Sequence, residues 1–139
     1  MPLQMNAGEL MGYLDEVFPQ VTGEFTVDRL DDMEIDLRLN VREKHLRPGG
    51  TVSGPSMFAL ADCAVYAIVL AMIGRQALAV TTSCSLDFMR KPEAGRDLIA
   101  RCRLLKLGRI LAVGDVLLFS EGMEAPVARS TMTYSIPPR

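Results

Sequence analysis

The sequence lacks a strong excess of charge of either sign. Its 139 residues include 15 lysine and arginine residues against 17 aspartate and glutamate residues, for a formal net charge of −2. No strongly basic field is therefore available to attract nucleic acid or an acidic lipid surface. We expect no nucleic-acid partner, and any phosphate-bearing ligand must be bound by local basic groups.

Cysteine is also scarce. Cys63, Cys84 and Cys102 are odd in number and widely spaced, which argues against a disulfide framework and against a zinc site. We expect free, mostly buried thiols, no metal ion and no cofactor. Residues 1–12 lack the basic and apolar regions of a secretory signal. Together these features predict a cytoplasmic protein.

The remaining composition is typical of a globular protein, with 49% hydrophobic and 23% charged residues. A chain of this length can bury one core but not two, which predicts a single domain over residues 1–139. Residues 57–74 carry one charge in an otherwise apolar run that approaches the length of a membrane span. Because the flanks lack aromatic and basic anchors, we expect a buried core helix and no membrane partner.

Hydrophobic periodicity predicts the order of the secondary structure. Helical spacing over about 6–18, with Asn6 as a possible N-cap, predicts a short amphipathic helix. Strict alternation over 33–41 predicts a half-buried strand, with 24–30 as its hairpin partner. A central helix is predicted over about 54–74. Four strand-like runs follow, at 77–89, 96–107, 109–120 and 126–136.

The strand-like runs favour a particular architecture. Tight turns between them favour antiparallel pairing, and the run 109–120 is apolar on both alternating sets, which predicts a strand covered on both faces. We predict an α+β fold in which a mostly antiparallel sheet of five to six strands wraps the central helix. Much of the sheet's other face then needs a second subunit.

Asp62 is the single charge within the central helix. A carboxylate among apolar neighbours must reach a cleft or suffer a large desolvation cost. This predicts a functional carboxylate, acting as general base or as nucleophile, with a structural ion pair or hydrogen-bonded anchor as the alternative.

Ser53 and Gly54 begin the helix, where unpaired N–H groups can form an oxyanion hole for a thioester carbonyl or serve only as an ordinary N-cap. Tyr66 follows Asp62 by one turn.

The run HLRPGGTVSGPSMFALADCAVYAIVLA, residues 45–71, resembles the motif of PaaI-type hotdog acyl-CoA thioesterases. Those proteins typically carry an asparagine, then His-Gly-Gly, then Leu-Ala-Asp. The similarity continues through VTTSCSLDFMRKPEAG, residues 80–95, and covers nearly the whole chain. It implies a hotdog fold and hydrolysis of an acyl-CoA thioester by a dimer or tetramer with its site at the subunit interface. It also implies Asp62 as the catalytic carboxylate, Gly54 as the oxyanion donor, and Thr81 as a hydroxyl that reaches the site from the partner.

Three positions depart from the family's pattern. Arg47 stands where the family has asparagine, Ser53 where it has histidine, and Pro55 where it has the second glycine. The proline removes a backbone donor, and one lost oxyanion donor costs on the order of 10²- to 10³-fold in rate. The departures imply weak turnover or a differently shaped acyl group. Arg47 can bind a substrate carboxylate or a CoA phosphate, or it can remain a solvated loop residue.

Basic groups at loop edges are the predicted contacts for the CoA phosphates. They are Arg90, Lys91 and Arg109, and we add Tyr66 and Thr82 as further predicted substrate contacts. One alternative is a non-catalytic acyl-CoA binding protein. Another is an enoyl-CoA hydratase or dehydratase that uses His45, but this histidine lies seventeen residues before Asp62 and its surroundings do not match that motif.

Overall fold

The structure is a computed structural model, and it describes residues 2–138. Over that range the chain forms two α-helices and six strands. They are α1 (Ala7–Val17), β1 (Phe25–Asp31), β2 (Glu34–Leu39), α2 (Gly54–Ile73), β3 (Val80–Phe88), β4 (Leu98–Leu107), β5 (Leu111–Ser120) and β6 (Ala128–Ser135). All strand pairs are antiparallel, and the sheet order is β1-β2-β4-β5-β6-β3. This is the predicted hotdog architecture.

The central helix α2 starts and stops for local reasons. The Ser53 side chain accepts a hydrogen bond from the N–H of Ser56, and Pro55 occupies the first turn, where its missing N–H costs little. Gly74 ends the helix with a φ of 92°. The helix has a mean hydropathy of 2.1 and is long enough to cross a membrane. Its apolar side chains are nevertheless packed into the core against the sheet, as predicted for a core helix.

A glycine in β5 allows α2 to lie close to the sheet. A Cβ built on Gly114 would stand 2.9 Å from Cγ2 of Val65, so only glycine fits without displacing the helix. The inward side chains of β5, such as Val116 and Leu118, are fully buried. Leu111 and Leu117 point outward and are more than one-third exposed. Within residues 2–138 the chain covers mainly the inner face of β5, and coverage of the outer face stays a prediction that depends on the expected second subunit.

The N-terminal helix α1 begins with a complete capping box. Asn6 accepts a hydrogen bond from the Glu9 N–H at 2.8 Å, and the Glu9 side chain accepts from the Asn6 N–H at 3.0 Å. Leu10 is fully buried in the core. The helix ends at Val17, which together with Phe18 contributes to a cavity beside α2.

Strand β3 forms one edge of the sheet and pairs only with β6 among the described strands. A register shift between Thr81 and Ser83 marks a β-bulge. Most of the side chains of β3 are exposed, including Cys84. The three cysteines are free, as predicted, but Cys84 is not buried, because no neighbouring element covers this edge. Such an edge presents unpaired backbone groups to another strand.

Candidate active site

Asp62 opens into a cavity of about 430 Å³ at the junction of α1, α2 and the start of β3. The cavity is lined mainly by apolar and aromatic side chains: Val17, Phe18, Cys63, Tyr66, Ala77, Ala79, Val80, Thr81 and Tyr134. Apolar walls around a few convergent polar groups are typical of small-molecule sites. The helix therefore presents its one charge to a cavity large enough for a small acyl group.

Two hydroxyl groups of the same chain hold one oxygen of Asp62, so Thr81 meets this carboxylate within the chain and not from the partner as the resemblance implied. The Thr81 hydroxyl donates to Oδ1 at 2.5 Å, and the Tyr134 phenol donates to Oδ1 at 2.7 Å and to the Asp62 carbonyl oxygen at 3.1 Å. Within residues 2–138, no group donates to Oδ2, and this atom is not among the buried unpaired ones. Oδ2 is therefore open to solvent, and none of the ion pairs in this range includes Asp62.

Three aromatic rings form one wall of this cavity. The rings of Tyr66 and Tyr134 stack with centroids 6.1 Å apart and an angle of 29°, and Phe18 meets Tyr66 edge-on. The Tyr66 hydroxyl donates to the Ala77 carbonyl at 2.7 Å. Tyr66 thus lies beside Asp62, as the helical spacing predicted, but its hydroxyl is used within the fold.

Burial controls the protonation of two neighbouring groups. It raises the pKa of the Tyr134 phenol, and the Asp62 carboxylate raises it further. Burial also raises the pKa of the Cys63 thiol to about 12, again with a contribution from Asp62. Both groups therefore keep their protons at neutral pH. Tyr134 remains a hydrogen-bond donor, and Cys63 is a poor nucleophile.

Gly54 lies in a different cavity, of about 400 Å³, at the start of α2. Arg47, Arg90 and Lys91 line this cavity together with Phe88. The Arg90 Nε donates to the Pro126 carbonyl at 2.9 Å, which anchors that side chain. Basic side chains gathered around a helix N-terminus favour an anion. The predicted oxyanion donor and three of the predicted CoA contacts therefore lie together.

The two halves of the predicted site are separate within one chain. Gly54 precedes Asp62 by eight residues on the same helix, which is roughly 12 Å along the axis. A reacting carbonyl must lie about 3 Å from both the oxyanion donor and the attacking group. One chain therefore cannot present Gly54 and Asp62 to the same thioester.

The remaining predicted contacts lie elsewhere. The Ser53 hydroxyl accepts from the Ser56 N–H at 3.3 Å and donates to the Ser56 hydroxyl at 3.1 Å, so it is used in the helix cap. Thr82 lies at the β3 bulge, and its hydroxyl donates to the Thr133 carbonyl at 3.3 Å. Arg109 lines another cavity with Ile110 and the C-terminal residues. The structure does not bring these three together with Asp62.

His45 is buried, and both of its ring nitrogens are engaged. Nδ1 accepts from the Arg42 N–H at 2.8 Å, so Nε2 carries the proton and donates to Glu24 at 3.0 Å. The His45 carbonyl also accepts from the Ser53 N–H at 2.8 Å. His45 therefore supports the loop before α2 and does not line the Asp62 cavity.

Sequence reasoning missed Tyr134 and Phe88. Tyr134 lies opposite Thr81 in the β3–β6 ladder, and side chains opposite each other lie on the same face of a sheet. A tyrosine at an inward strand position needs a partner for its hydroxyl, and this was the available signal.

Within residues 2–138, no group of three or more histidine, cysteine or carboxylate side chains is arranged to hold a metal ion.

Comparison with known proteins places these features in a family context. Residues 49–127 match the sequence model of the thioesterase superfamily. A candidate thioesterase from a Silicibacter species is 73% identical, with 99% of this chain and 96% of that chain covered and a TM-score of 0.94. A mutant of the phenylacetic acid degradation protein PaaI from Thermus thermophilus is 32% identical, with coverages of 86% and 99% and a TM-score of 0.73.

A more distant structure shares the fold. It is a hypothetical thioesterase from Streptococcus pneumoniae, solved with coenzyme A, at 17% identity, with coverages of 93% and 98% and a TM-score of 0.78. A search of curated proteins found no match.

Proposed function

Because this chain belongs to the thioesterase superfamily, we propose that it hydrolyses an acyl-CoA thioester to a free acid and CoA, with Asp62 as the working carboxylate. The observation that supports the proposal is that one oxygen of the Asp62 carboxylate is hydrogen-bonded and the other is free. Thr81 and Tyr134 hold Oδ1, while Oδ2 is open beside an apolar cavity of about 430 Å³. A structural anchor would have no need of a free carboxylate oxygen next to such a cavity.

Two mechanisms use this oxygen. As a general base, Oδ2 takes a proton from a water molecule whose oxygen attacks the thioester carbon; the C–S bond then breaks, and the proton passes to the departing thiolate. As a nucleophile, Oδ2 attacks the thioester carbon itself, and the C–S bond breaks to release the CoA thiolate. Water then cleaves the acyl-aspartyl anhydride to the free acid and Asp62, and one proton of that water passes to the thiolate. The Cys63 thiol is excluded as the attacking group because its pKa is raised to about 12.

The proposal requires a second subunit. The Gly54 N–H is the proposed oxyanion donor, but it lies roughly 12 Å from Asp62 along α2. A second copy can supply it, so that each site combines Asp62 and Thr81 of one subunit with Gly54 of the partner subunit. We therefore propose a homo-oligomer with its sites at the subunit interface.

The edge strand β3 offers a route to this arrangement. Thr81 lies near its first residue, and Phe88, whose ring covers Gly54, is its last. When two copies of an edge strand pair in antiparallel fashion about a two-fold axis, opposite ends become neighbours. The Thr81 end of one subunit would then meet the Gly54 region of the other. The exposed backbone of β3 supports such pairing.

The CoA portion of the substrate is proposed to bind beside Gly54. Arg47, Arg90 and Lys91 line that cavity, and guanidinium and ammonium groups are suited to phosphate. Two relatives of the same fold, from Streptococcus pneumoniae and Streptococcus mutans, were solved with CoA and with acetyl-CoA respectively. Because the chain has almost no net charge, these three residues would provide the positive charge that binds the CoA phosphates.

A second candidate is acyl-CoA binding without catalysis. The Ser53 hydroxyl is used in the helix cap, and Pro55 has no backbone N–H to donate. The oxyanion site would then have fewer donors than the family pattern provides, which favours weak chemistry.

Thiol release from short, long and aromatic acyl-CoA esters tests both candidates. Asp62→Asn should fold and assemble like the wild type but lose hydrolysis, whereas Asp15→Asn, at an exposed position in α1, should keep it. Wild-type turnover in Asp62→Asn would contradict the proposed function. Saturable binding of CoA esters by the wild-type protein, with no thiol release from any of them, would select the binding function.

Isotope labelling separates the two mechanisms. Repeated turnovers in water enriched in oxygen-18 should label Asp62 if it attacks as a nucleophile and water opens the anhydride at the aspartyl carbonyl. General-base catalysis, in which Asp62 forms no bond to the acyl group, should label the acid product alone. Label in the peptide that contains Asp62, measured by mass spectrometry, would therefore exclude general-base catalysis.

A further inference from the structure

We propose that Tyr134 is a positioning residue for hydrolysis, holding the Asp62 carboxylate so that Oδ2 is the oxygen presented to the substrate. This inference rests on the proposed catalytic role of Asp62. It assigns a reaction-related role to a residue of the last strand, which is 72 residues away in the sequence.

The contact geometry of Tyr134 carries the inference. Its phenol donates to Oδ1 of Asp62 at 2.7 Å and also approaches the carbonyl oxygen of the same residue at 3.1 Å. One rigid side chain thus touches both the backbone and the carboxylate of Asp62. Because the backbone belongs to the core helix, the phenol fixes the carboxylate relative to a rigid element, as a precise site requires.

Thr81 completes the restraint from the neighbouring strand. It lies opposite Tyr134 in the β3–β6 ladder and donates to the same oxygen at 2.5 Å. Two donors on Oδ1 oppose rotation of the carboxylate, since rotation would break both hydrogen bonds. The outcome is a carboxylate held in one orientation with one free oxygen.

The surroundings of Tyr134 keep it in this role. Its ring is buried and stacks on Tyr66, with the centroids 6.1 Å apart. Burial and the adjacent carboxylate raise the pKa of the phenol, so it stays protonated throughout the pH range of an assay. The phenol therefore keeps its proton and acts as a hydrogen-bond donor to Asp62. It does not act as an acid or a base toward the substrate.

A purely structural role makes a different prediction. If Tyr134 only fills the core, the ring and its stacking on Tyr66 are sufficient, and the hydroxyl is dispensable. Tyr134→Phe keeps the ring and removes only the donor, so it separates the two roles. The decisive measurements are kcat and KM, which separate a fall in turnover from weaker substrate binding.

We expect Tyr134→Phe to lower kcat roughly tenfold or more with little change in KM, because a hydrogen bond to a charged group is lost. Tyr13→Phe, which removes a phenol in α1, should keep the wild-type turnover.

The outcomes separate this inference from the proposed function. Wild-type kcat in a folded Tyr134→Phe overturns the positioning role, and so does a rise in KM with kcat unchanged. Wild-type turnover in Asp62→Asn, measured in parallel, overturns the proposed function itself. Thermal melting and oligomeric state establish that each variant is folded.

A second measurement does not depend on a Tyr134 variant being active. The chain has three tyrosines, and 3-fluorotyrosine incorporation gives one fluorine NMR signal for each. Single Tyr→Phe changes assign the signals. The Tyr134 signal should move in Asp62→Asn, because the phenol then meets an amide in place of the carboxylate, whereas the Tyr13 signal should keep its wild-type position. A Tyr134 signal that is unchanged in Asp62→Asn would overturn the inference.

Discussion

The ring of Phe88 covers Gly54 so closely that a Cβ built on the glycine would lie 3.3 Å from the ring Cζ. This contact joins the end of β3 to the start of α2, which are far apart in the sequence. Phe88 is 54% exposed, so its ring can yield to a methyl group. The space beside the Gly54 Cα is nevertheless narrow, and any side chain at this position would contact the ring.

We therefore expect Gly54→Ala to lower kcat/KM by at least tenfold in thiol-release assays, because the methyl group crowds the proposed oxyanion position. Alanine keeps the backbone N–H, so the loss should not exceed the roughly 10²- to 10³-fold that removal of an oxyanion donor costs. Adding Phe88→Leu should relieve the crowding of the ring without restoring the rate. Gly12→Ala, where a Cβ meets nothing within 4 Å, should react like the wild type. Full activity in Gly54→Ala would remove Gly54 from the proposed site.

The basic residues beside Gly54 give a prediction about the nucleotide part of the substrate. Arg90→Ala and Lys91→Ala should each raise KM for acyl-CoA several-fold, because each removes one charge–phosphate contact. Neither should alter hydrolysis of a thioester that lacks the nucleotide, such as an N-acetylcysteamine ester. Arg75→Ala, on the other side of the molecule in a cavity with α1, serves as the charge control. Equal losses with both kinds of ester would contradict phosphate binding.

The features that could be predicted from the sequence are those with a local pattern. Ile35, Leu37 and Leu39 alternate with charged residues, and all three are buried in β2. The apolar run of α2 indicated a core helix, and its single charge indicated Asp62. In each case the signal lies within a few residues, because the periods of strands and helices are short.

The contacts of Asp62 have no such signal. Tyr134 lies 72 residues from Asp62 and Thr81 lies 19 residues from it, and only the pairing of β3 with β6 brings the two donors together. The exposure of Cys84 was equally hard to predict from the sequence, because it depends on β3 being an edge strand. Sheet order is a long-range property, so periodicity within one strand cannot supply it.

The close packing of α2 on the sheet makes Gly114 sensitive to substitution. Gly114→Ala places a methyl group 2.9 Å from Cγ2 of Val65, and overpacking of this kind costs roughly 1–3 kcal/mol. Urea denaturation at fixed protein concentration should show this loss. Adding Val65→Ala should remove part of the penalty, because it makes room for the methyl group, so the two changes should cost less together than their sum. Strict additivity would contradict a direct clash.

A half-buried carboxylate near the start of α2 makes stability depend on pH. Glu24 is 15% exposed and binds His45 through Oε1 at 3.0 Å and Lys44 through Oε2 at 2.9 Å. Burial alone would raise the pKa of Glu24, but hydrogen bonds from Lys44 and His45 outweigh it and lower the pKa below its ordinary value. The folded state therefore favours the charged form.

The sign of the pH effect follows from this lowered pKa. A group whose pKa falls on folding adds stability above its unfolded pKa, about 4.3 for glutamate, and this stability is lost as the pH falls through the folded value. Glu24→Gln should thus be less stable than the wild type at pH 7, and the difference should shrink below about pH 4.3. Glu16→Gln, at an exposed ion pair, should show little difference at any pH. A gap between wild type and Glu24→Gln that stays constant down to about pH 3, below the unfolded pKa, would show that the charge of Glu24 does not stabilise the loop before α2.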